Sequence, residues 1–246
     1  MSKGKILGLL AAVLLAVPNS QSAAEDPNAA RADMVRVIQF QIGLTATATG
    51  IHQLDPDVLL ALGKVPRHAF VPPPLAPYAY LDRPLPLGMG QNISQPFIIA
   101  LMTHLLNIEP GQVVLETGTG AGYHAAILAE LGAKVFSVEV IEPLAAYAAE
   151  RLAELGYDAV MTKPGDGYYG WREHGPYDAI LLKEAVDHIP PPLLAQLKPG
   201  GRLVLPLGPL NGQQQLTVVD KGKNGTLRQS SIMPVRFAPL QGGDRI

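Results

Sequence analysis

The chain has 246 residues, of which 48% are hydrophobic and 16% charged, a composition typical of a globular protein and not of a disordered one. The formal net charge is −2 and there is no long basic run, so nothing in the composition indicates nucleic-acid binding. Cysteine is absent, which excludes disulfides and thiolate chemistry, and the six scattered histidines lack the spacing of metal ligands.

The N-terminal segment 1–24 has the three parts of a secretory signal peptide. Lysines near the start precede an apolar run at 6–17, and small residues follow it. The apolar run is too short to span a bilayer comfortably. We therefore expect cleavage after Ser22 or Ala24 and export to the periplasm or the medium. An uncleaved membrane anchor or a misassigned start codon is the alternative.

A polar linker is expected at 25–33, followed by a single domain that spans 34–240. Its first part has a mixed helical pattern that is interrupted at 45–50. Asp55 is placed to cap a helix that runs to about residue 62, because its carboxylate can accept from free main-chain N–H groups. Many prolines and glycines occur at 65–92, which predicts an irregular but ordered loop system that lies over another part of the protein.

Strands and helices alternate regularly from residue 96 onward. Pro96 suits the first turn of a helix that extends to residue 106. Five strands are predicted at 113–116, 134–139, 159–163, 179–182 and 202–206, with helices at 125–131, 143–155 and 192–197 between them. A terminal antiparallel pair is predicted at 214–220 and 227–234. The pattern predicts a doubly wound α/β fold with a mostly parallel seven-stranded sheet and an N-terminal helical cap.

Three glycines at alternate positions follow the first of these strands. The apolar run stops at Glu116, and Gly118, Gly120 and Gly122 then predict a strand, a tight turn and a helix N-terminus. A dinucleotide fingerprint would require glycine in place of Tyr123, and the Gly-Lys-Ser/Thr of a phosphate loop is absent. The pattern is the one used around S-adenosylmethionine, which has no phosphate. The alternative is a glycine-rich turn that binds nothing.

Acidic residues follow the next two strands. Glu139 has the spacing from Gly118 at which a carboxylate accepts from ribose hydroxyls, although it could also be a helix cap or a surface acid. Asp166 lies between Gly165 and Gly167, where it could accept from an adenine amino group or simply stabilise a turn. Both lie at carboxyl ends of strands, where open α/β sheets bind their ligands.

Several segments resemble protein-L-isoaspartate O-methyltransferases. They are 65–72, 84–88, 90–96, 114–123, 165–171 and 197–208. The resemblance covers roughly residues 55–240, and the stretch Gln-Asn-Ile-Ser-Gln-Pro that ends at residue 96 is its most diagnostic part. It implies methyl esterification of the free α-carboxylate of L-isoaspartyl and D-aspartyl residues in damaged proteins. S-adenosylmethionine would be the methyl donor and isoaspartyl proteins or peptides the partners, and we expect a monomer without metal or nucleic acid.

The resemblance also implies how the domain is divided and which residues act. A helical cap and active-site loop would occupy 34–96, the cofactor-binding core 97–210 and the terminal strands 211–240. Ser94 takes the catalytic position, with a helix N-cap as its alternative role, and Asn92, Ile93 and Lys183 would bind substrate. The cofactor residues would be Glu116, Gly118, Thr119, Gly120, Gly122, Tyr123, His124, Glu139, Asp166 and Gly167. A carboxylate nucleophile is already ionised at neutral pH, so the reaction needs placement more than a strong base.

Four positions depart from the family pattern. Asn92 stands where threonine is usual, and His124, expected to face the methionine end of the cofactor, stands where glutamine is frequent. Lys183 and Glu184 replace a Thr-Ala or Gly-Ala pair beside the expected reaction centre. A methyltransferase for another carboxylate therefore stays open, as does a non-catalytic exported binding protein. Because S-adenosylmethionine is made in the cytoplasm, a cytoplasmic location is the alternative to export.

Overall fold

The computed structural model describes residues 26–242, so the signal-peptide-like segment 1–24 lies outside the described residues. Helix α1, Pro27–Thr49, begins where Asp26 accepts a hydrogen bond from the main-chain N–H of Asn28. It continues without a break to Gly50, whose φ of 72° ends it in the left-handed conformation. The prediction of a linker at 25–33 is therefore wrong for residues 27–33, which are helical.

The predicted interruption at 45–50 is also wrong, because α1 runs through it. Thr45 and Thr49 donate their hydroxyls to carbonyl oxygens one turn earlier, so both polar side chains are satisfied within the helix. One face of α1 is buried at four-residue spacing: Met34, Ile38, Ile42 and Ala46. This face packs α1 against two other helices and the last strand of the sheet.

The second helix confirms the predicted cap. Helix α2, Pro56–Lys64, begins after Asp55, whose carboxylate accepts from the N–H of Asp57. Short 3₁₀ turns follow at Arg67–Phe70 and Pro73–Tyr78. Strands β1, Leu85–Gly88, and β2, Gln91–Ile93, then form an antiparallel hairpin outside the main sheet. Helix α3, Pro96–Leu106, is buried along most of its length.

The remaining elements alternate as predicted. They are β3 (Val113–Thr117), α4 (Tyr123–Glu130), β4 (Lys134–Glu139), α5 (Glu142–Glu154), β5 (Val160–Pro164), β6 (Tyr177–Leu182), α6 (Pro191–Gln196), β7 (Leu197–Leu207), β8 (Gln214–Lys221) and β9 (Leu227–Val235). Strand β7 begins earlier than residue 202 because Tyr177 already pairs with Leu197, ahead of a register shift.

The main sheet has seven strands in the order β5-β4-β3-β6-β7-β8-β9. The first five are parallel, and β8 and β9 add antiparallel strands at one edge. From β3 the chain first builds β4 and β5 on one side and then β6 and β7 on the other. The crevice between the carboxyl ends of β3 and β6 is therefore the topological switch point, where doubly wound sheets bind ligands.

Hydrophobic residues are buried on both faces of this sheet, in two clusters. The residues of β3 and β6 are almost entirely inaccessible to solvent, as expected for parallel strands covered on both sides. Within residues 26–242, no helix has both the length and the apolar character needed to cross a membrane.

Candidate active site

The glycine turn after β3 has a backbone that other residues would not tolerate. Gly118 has φ of 66°, and its N–H donates to the carbonyl oxygen of Val138 at 2.8 Å. A Cβ at Gly118 would lie 1.9 Å from Oε1 of Glu184, so a side chain here would collide with that carboxyl group. Gly120, with φ of 60°, donates its N–H to Oε2 of Glu139 at 2.9 Å. Backbone conformation therefore favours glycine at both positions, and close approach adds to this at Gly118.

A cavity of about 500 Å³ opens above this turn, at the carboxyl ends of the central strands. The β1–β2 hairpin forms one wall and the segment that follows β9 forms another. Eleven of the residues predicted for the site line the cavity: Asn92, Ile93, Ser94, Gly118, Thr119, Gly120, Tyr123, His124, Glu139, Gly167 and Lys183. The fold therefore brings together segments that lie far apart in the sequence.

Three residues predicted to bind the cofactor do not line this cavity. Glu116 is fully buried in β3, where its Oε1 lies 2.6 Å from Nζ of Lys183 and its Oε2 accepts from Ser137. Gly122 begins α4, and a Cβ there would lie 3.0 Å from the side chain of Leu152 in α5. Gly122 thus contributes to helix packing and Glu116 to charge pairing, and their contact with the cofactor stays a prediction.

Asp166 is the third such residue. Its Oδ1 accepts from the N–H of Tyr168 at 2.9 Å, which caps the 3₁₀ turn Gly167–Tyr169. Asp166 therefore stabilises this turn, and its contact with adenine stays a prediction. Its neighbour Gly167 does line the cavity, and a Cβ there would lie 2.8 Å from Cβ of Thr117.

Glu139 holds the glycine turn and faces the cavity at the same time. It is 4% exposed, and its two carboxylate oxygens accept from the N–H groups of Gly120 and Ile141 at 2.9 and 3.0 Å. A carboxylate has about four acceptor sites, so two remain for a ligand. The predicted position of Glu139 at the end of β4 is confirmed.

Ser94 lies between β2 and α3, on the hairpin side of the cavity. Its hydroxyl makes no hydrogen bond to any group in the described range, and Gln95, not Ser94, occupies the N-cap position of α3. Asp82 performs the capping: its Oδ1 accepts from the N–H of Phe97 at 2.8 Å, and its Oδ2 accepts from the side chains of Gln95 and Gln41. The capping role considered for Ser94 is therefore wrong, and the Ser94 hydroxyl is available to a substrate.

Arg67 fixes the main chain at Ser94. This arginine is fully buried, its Nη2 donates to the carbonyl oxygen of Ser94 at 2.6 Å and its Nε donates to that of Ala79 at 2.8 Å. Its guanidinium also lies 4.9 Å from the ring centroid of Tyr123. Burial lowers the pKa of Arg67 to about 10, so the side chain stays charged at neutral pH. Sequence reasoning placed Arg67 in a resembling segment but gave it no role.

His124 presents an unpaired acceptor. Thr103 donates its hydroxyl to Ile99 at 2.7 Å, so its oxygen accepts from Nε2 of His124 at 2.8 Å. This network assigns the proton to Nε2 and leaves Nδ1 as a buried acceptor without a partner within residues 26–242. Burial lowers the pKa of His124 well below its ordinary value, with a contribution from Lys183, so the ring is neutral.

Lys183 and Glu184 follow β6 at the switch point. The ammonium of Lys183 is directed to Glu116, and this buried pair leaves no free positive charge there. Glu184 accepts two hydrogen bonds on Oε2, from the hydroxyl of Thr117 at 2.7 Å and the main-chain N–H of Lys183 at 3.1 Å. Burial raises the pKa of Glu184 to about 7, although its hydrogen bond from Thr117 acts in the opposite direction.

The segment after β9 was missed by sequence reasoning. Residues 236–241 cross the cavity edge, and Ala185 exchanges hydrogen bonds with Ala238 and Leu240 at 2.8 and 2.9 Å. This contact ties the segment to the main chain immediately after Glu184. Apart from Pro239, the sequence of this segment contains no motif that would predict a place at the cavity. Across residues 26–242, no group of three or more His, Asp or Glu side chains is arranged to hold a metal ion.

Comparisons with known proteins agree with the geometry. The model of the family described as Protein-L-isoaspartate(D-aspartate) O-methyltransferase matches residues 45–245. The chain belongs to this family. Protein-L-isoaspartate O-methyltransferase 1 of Cupriavidus necator is 52% identical over 235 residues, which are 95% of this chain and 91% of that protein. Protein-L-isoaspartate O-methyltransferase 2 of Polaromonas sp. is 53% identical over 209 residues, covering 85% of this chain and 99% of that protein.

Solved structures share the architecture of this family member. One protein-L-isoaspartate O-methyltransferase has a TM-score of 0.74 at 28% identity, covering 86% of this chain and 66% of that chain. A Plasmodium falciparum structure, described as a protein-L-isoaspartate O-methyltransferase in complex with S-adenosyl-L-homocysteine, has a TM-score of 0.71 at 21% identity. It covers 89% of this chain and 99% of that chain, and at this identity it supports the fold. The Rossmann-like methyltransferase fold expected from the sequence is confirmed.

Proposed function

We propose that this protein transfers a methyl group from S-adenosylmethionine to the free α-carboxylate of L-isoaspartyl and D-aspartyl residues in damaged proteins. The resulting ester closes to a succinimide with loss of methanol, and hydrolysis of the succinimide gives partly normal aspartate and so begins repair. The observation that carries the proposal is the single cavity that joins Ser94 to the glycine turn in a chain of this family. Gly118 of the turn and Ser94 both line this cavity.

The residues present fit the cofactor. The turn at Gly118 and Gly120 presents main chain without side chains to the cavity, and Glu139 retains acceptor capacity for two ribose hydroxyls. The orphaned Nδ1 of His124 is a buried acceptor that needs a donor, and the methionine end of the cofactor carries an ammonium group. When bound, the cofactor supplies a methyl group activated by its attachment to a sulfonium.

The substrate residues act by orientation. We assign to the Ser94 hydroxyl a hydrogen bond to one carboxylate oxygen, which directs the other oxygen toward the methyl group. Asn92 and Ile93 belong to the hairpin that covers the cavity, Asn92 with an exposed side chain and Ile93 with a buried one. Lys183 acts through its buried pair with Glu116 and therefore does not offer a free positive charge.

A paired-peptide assay tests the proposal. The protein without residues 1–24 is incubated with methyl-labelled S-adenosylmethionine and with either an isoaspartyl peptide or the same peptide with normal aspartate. We expect a base-labile methyl ester on the isoaspartyl peptide and no label on the other. The absence of label from both peptides, or equal label on both, would reject the assignment.

A second substrate class is favoured by one observation. Glu184 stands in the cavity wall as an acidic group where the family pattern has alanine, and a carboxylate there disfavours an anionic substrate nearby. The competing proposal is a methyltransferase for another carboxylate. If it holds, the double variant Lys183→Thr, Glu184→Ala should gain isoaspartyl activity over the wild type. A wild type that is already as active as the variant removes the basis for this alternative.

We also propose that the mature chain is a monomer exported to the periplasm or the medium, with the cytoplasm as the alternative compartment. The support for export is the charged, apolar and small-residue pattern of residues 1–24. N-terminal sequencing of the native protein distinguishes the two locations, because export predicts a first residue near 23 or 25. Size-exclusion chromatography with light scattering tests the oligomeric state, and a dimer mass would contradict the monomer.

A further inference from the structure

The order of strands in the sheet predicts which part of the bound cofactor lies at the end of each strand. Gly167 follows β5, Glu139 ends β4, Gly118 follows β3 and Glu184 follows β6, and these four strands are neighbours in that order. All four residues line the same cavity. A cofactor with its ribose at Glu139 and its adenine toward Gly167 therefore extends its amino-acid end past Gly118 toward β6. This direction rests on the proposed function.

Glu184, which follows β6, is the acidic residue nearest to the expected amino-acid end of the cofactor. Both hydrogen bonds that it accepts go to Oε2, whereas its Oε1 accepts none within residues 26–242. Oε1 occupies the space beside the α-carbon of Gly118 that a Cβ would fill. Its neighbour Lys183 does not neutralise it by direct pairing, because the ammonium of Lys183 lies 2.6 Å from Glu116 instead. The cavity wall thus contains a carboxyl oxygen without a partner.

We propose that Glu184 binds the α-ammonium group at the methionine end of S-adenosylmethionine through Oε1. An ammonium group donates three hydrogen bonds and attracts a carboxylate, so it satisfies this unpaired oxygen directly. The same carboxylate disfavours the substrate carboxylate, and it therefore also separates the cofactor end of the cavity from the substrate end at Ser94. Glu184 then binds the cofactor, and its negative charge does not simply weaken substrate binding.

Glu184→Gln is the sharpest variant for testing this role. The two donors on Oε2, from Thr117 and Lys183, require an oxygen at that position. The amide of glutamine must therefore place its NH₂ group where Oε1 stands, facing the ammonium as a second donor. The substitution keeps the size of the side chain, replaces one hydrogen-bond acceptor with a donor and removes the negative charge.

Isothermal titration calorimetry with three ligands gives the test. S-adenosylmethionine has both an ammonium and a sulfonium, S-adenosylhomocysteine has only the ammonium, and methylthioadenosine has neither. We expect Glu184→Gln to bind the first two ligands about ten- to a hundred-fold more weakly than the wild type, and methylthioadenosine equally well. Glu139→Gln is the matched control, because a lost ribose contact weakens all three ligands.

The remaining outcomes overturn the proposal in distinguishable ways. Wild-type affinity of Glu184→Gln for all three ligands would show that Oε1 has no role. Weaker binding of S-adenosylmethionine only would assign Oε1 to the sulfonium, and equal weakening of all three ligands would assign Glu184 a structural role. If the wild type bound none of the ligands, the proposed function itself would fail, whereas the first three outcomes leave the methyltransferase assignment intact.

Discussion

The Nη2 of Arg67 donates a 2.6 Å hydrogen bond to the main-chain carbonyl oxygen of Ser94, and the two residues are 27 positions apart in the sequence. Arg67 is anchored by its second bond to Ala79 and by the ring of Tyr123, so the position of Ser94 depends on a rigid, buried cation. Because the contact is to the main chain, it orients the seryl loop without occupying the Ser94 hydroxyl. The position of Ser94 is thus held by a buried residue that does not itself line the cavity.

Replacing Arg67 should therefore impair turnover through Ser94. Arg67→Met removes both charge-assisted bonds and leaves two carbonyl oxygens without their donor, which costs about 1–3 kcal/mol of folding stability for each oxygen that stays buried. We expect kcat to fall while the affinity for S-adenosylhomocysteine, measured by calorimetry, stays close to that of the wild type. Arg67→Lys, which keeps the charge but not the fork of donors, should be intermediate in kcat. A variant with normal kcat and reduced stability would limit Arg67 to a structural role.

Ser94 and Glu139 should affect different kinetic quantities. Ser94→Ala removes the proposed bond to the substrate carboxylate and should lower kcat/KM for an isoaspartyl peptide by about ten- to a hundred-fold, which is the loss of about 1.5–3 kcal/mol. Glu139→Ala should mainly weaken cofactor binding, because this side chain supports the glycine turn and lines the cavity where we propose that the ribose binds. Steady-state kinetics and calorimetry on both variants separate these effects, and an equal loss of cofactor binding in both contradicts the division.

The capping of α3 by Asp82 predicts a stability difference between two nearby residues. Asp82→Ala removes the acceptor for the Phe97 N–H and should lower the free energy of unfolding by about 0.5–2 kcal/mol, measured by urea denaturation. Ser94→Ala is the control and should unfold like the wild type, because the Ser94 side chain does not cap the helix. A larger loss of stability from Ser94→Ala than from Asp82→Ala would reverse the assignment.

His124 should stay neutral throughout the physiological range. Its pKa is lowered by burial, so it remains deprotonated on Nδ1 when the pH falls through the ordinary histidine value of about 6.5. Nitrogen-15 NMR of the imidazole should report the Nε2–H form and no titration between about pH 5.5 and about 8. A His124 resonance that shifts across this pH range would contradict the buried network.

Glu184 predicts a pH dependence of cofactor affinity. Its pKa is raised to about 7 in the unliganded cavity, and an ammonium beside it would lower that pKa. Binding therefore releases a proton below about pH 7, so affinity should rise by up to about tenfold per pH unit toward pH 7 and level off above it. Calorimetry from about pH 5.5 to about 8 should show this slope in the wild type and a flat profile in Glu184→Gln.

Other charged groups near Glu184 could also make cofactor affinity depend on pH, and the variant distinguishes their contribution from that of Glu184. They are Glu116, Glu139 and Lys183 around the carboxyl group, and Arg236, which lines the same cavity from the segment after β9. All four are present in Glu184→Gln, so any slope that they cause persists in the variant. An equal slope in both proteins would remove Glu184 as its origin.

Much of the fold could be predicted from local sequence. The apolar runs and turns placed the strands of the sheet within a few residues, and the bounds of β4 were predicted without error, because buried parallel strands are short, apolar and separated by regular helices. Asp55 was recognisable as a cap because a capping bond joins residues only two positions apart. The start of α1 was missed because its first turns are polar and exposed, so no periodic apolar pattern distinguishes them from a linker.

The sequence by itself determined the family, the glycine turn and the carboxyl edge of the sheet as the site, because these depend on residues adjacent in the chain. Only the tertiary structure decided which charges are paired. It joined Lys183 to Glu116, left one oxygen of Glu184 open to the cavity, and placed Arg67 on the carbonyl of Ser94. The physical reason is that charge pairing and hydrogen bonding act over a few ångströms of space. The partners in these contacts come from separate strands and loops, and packing of the whole sheet is needed to bring them together.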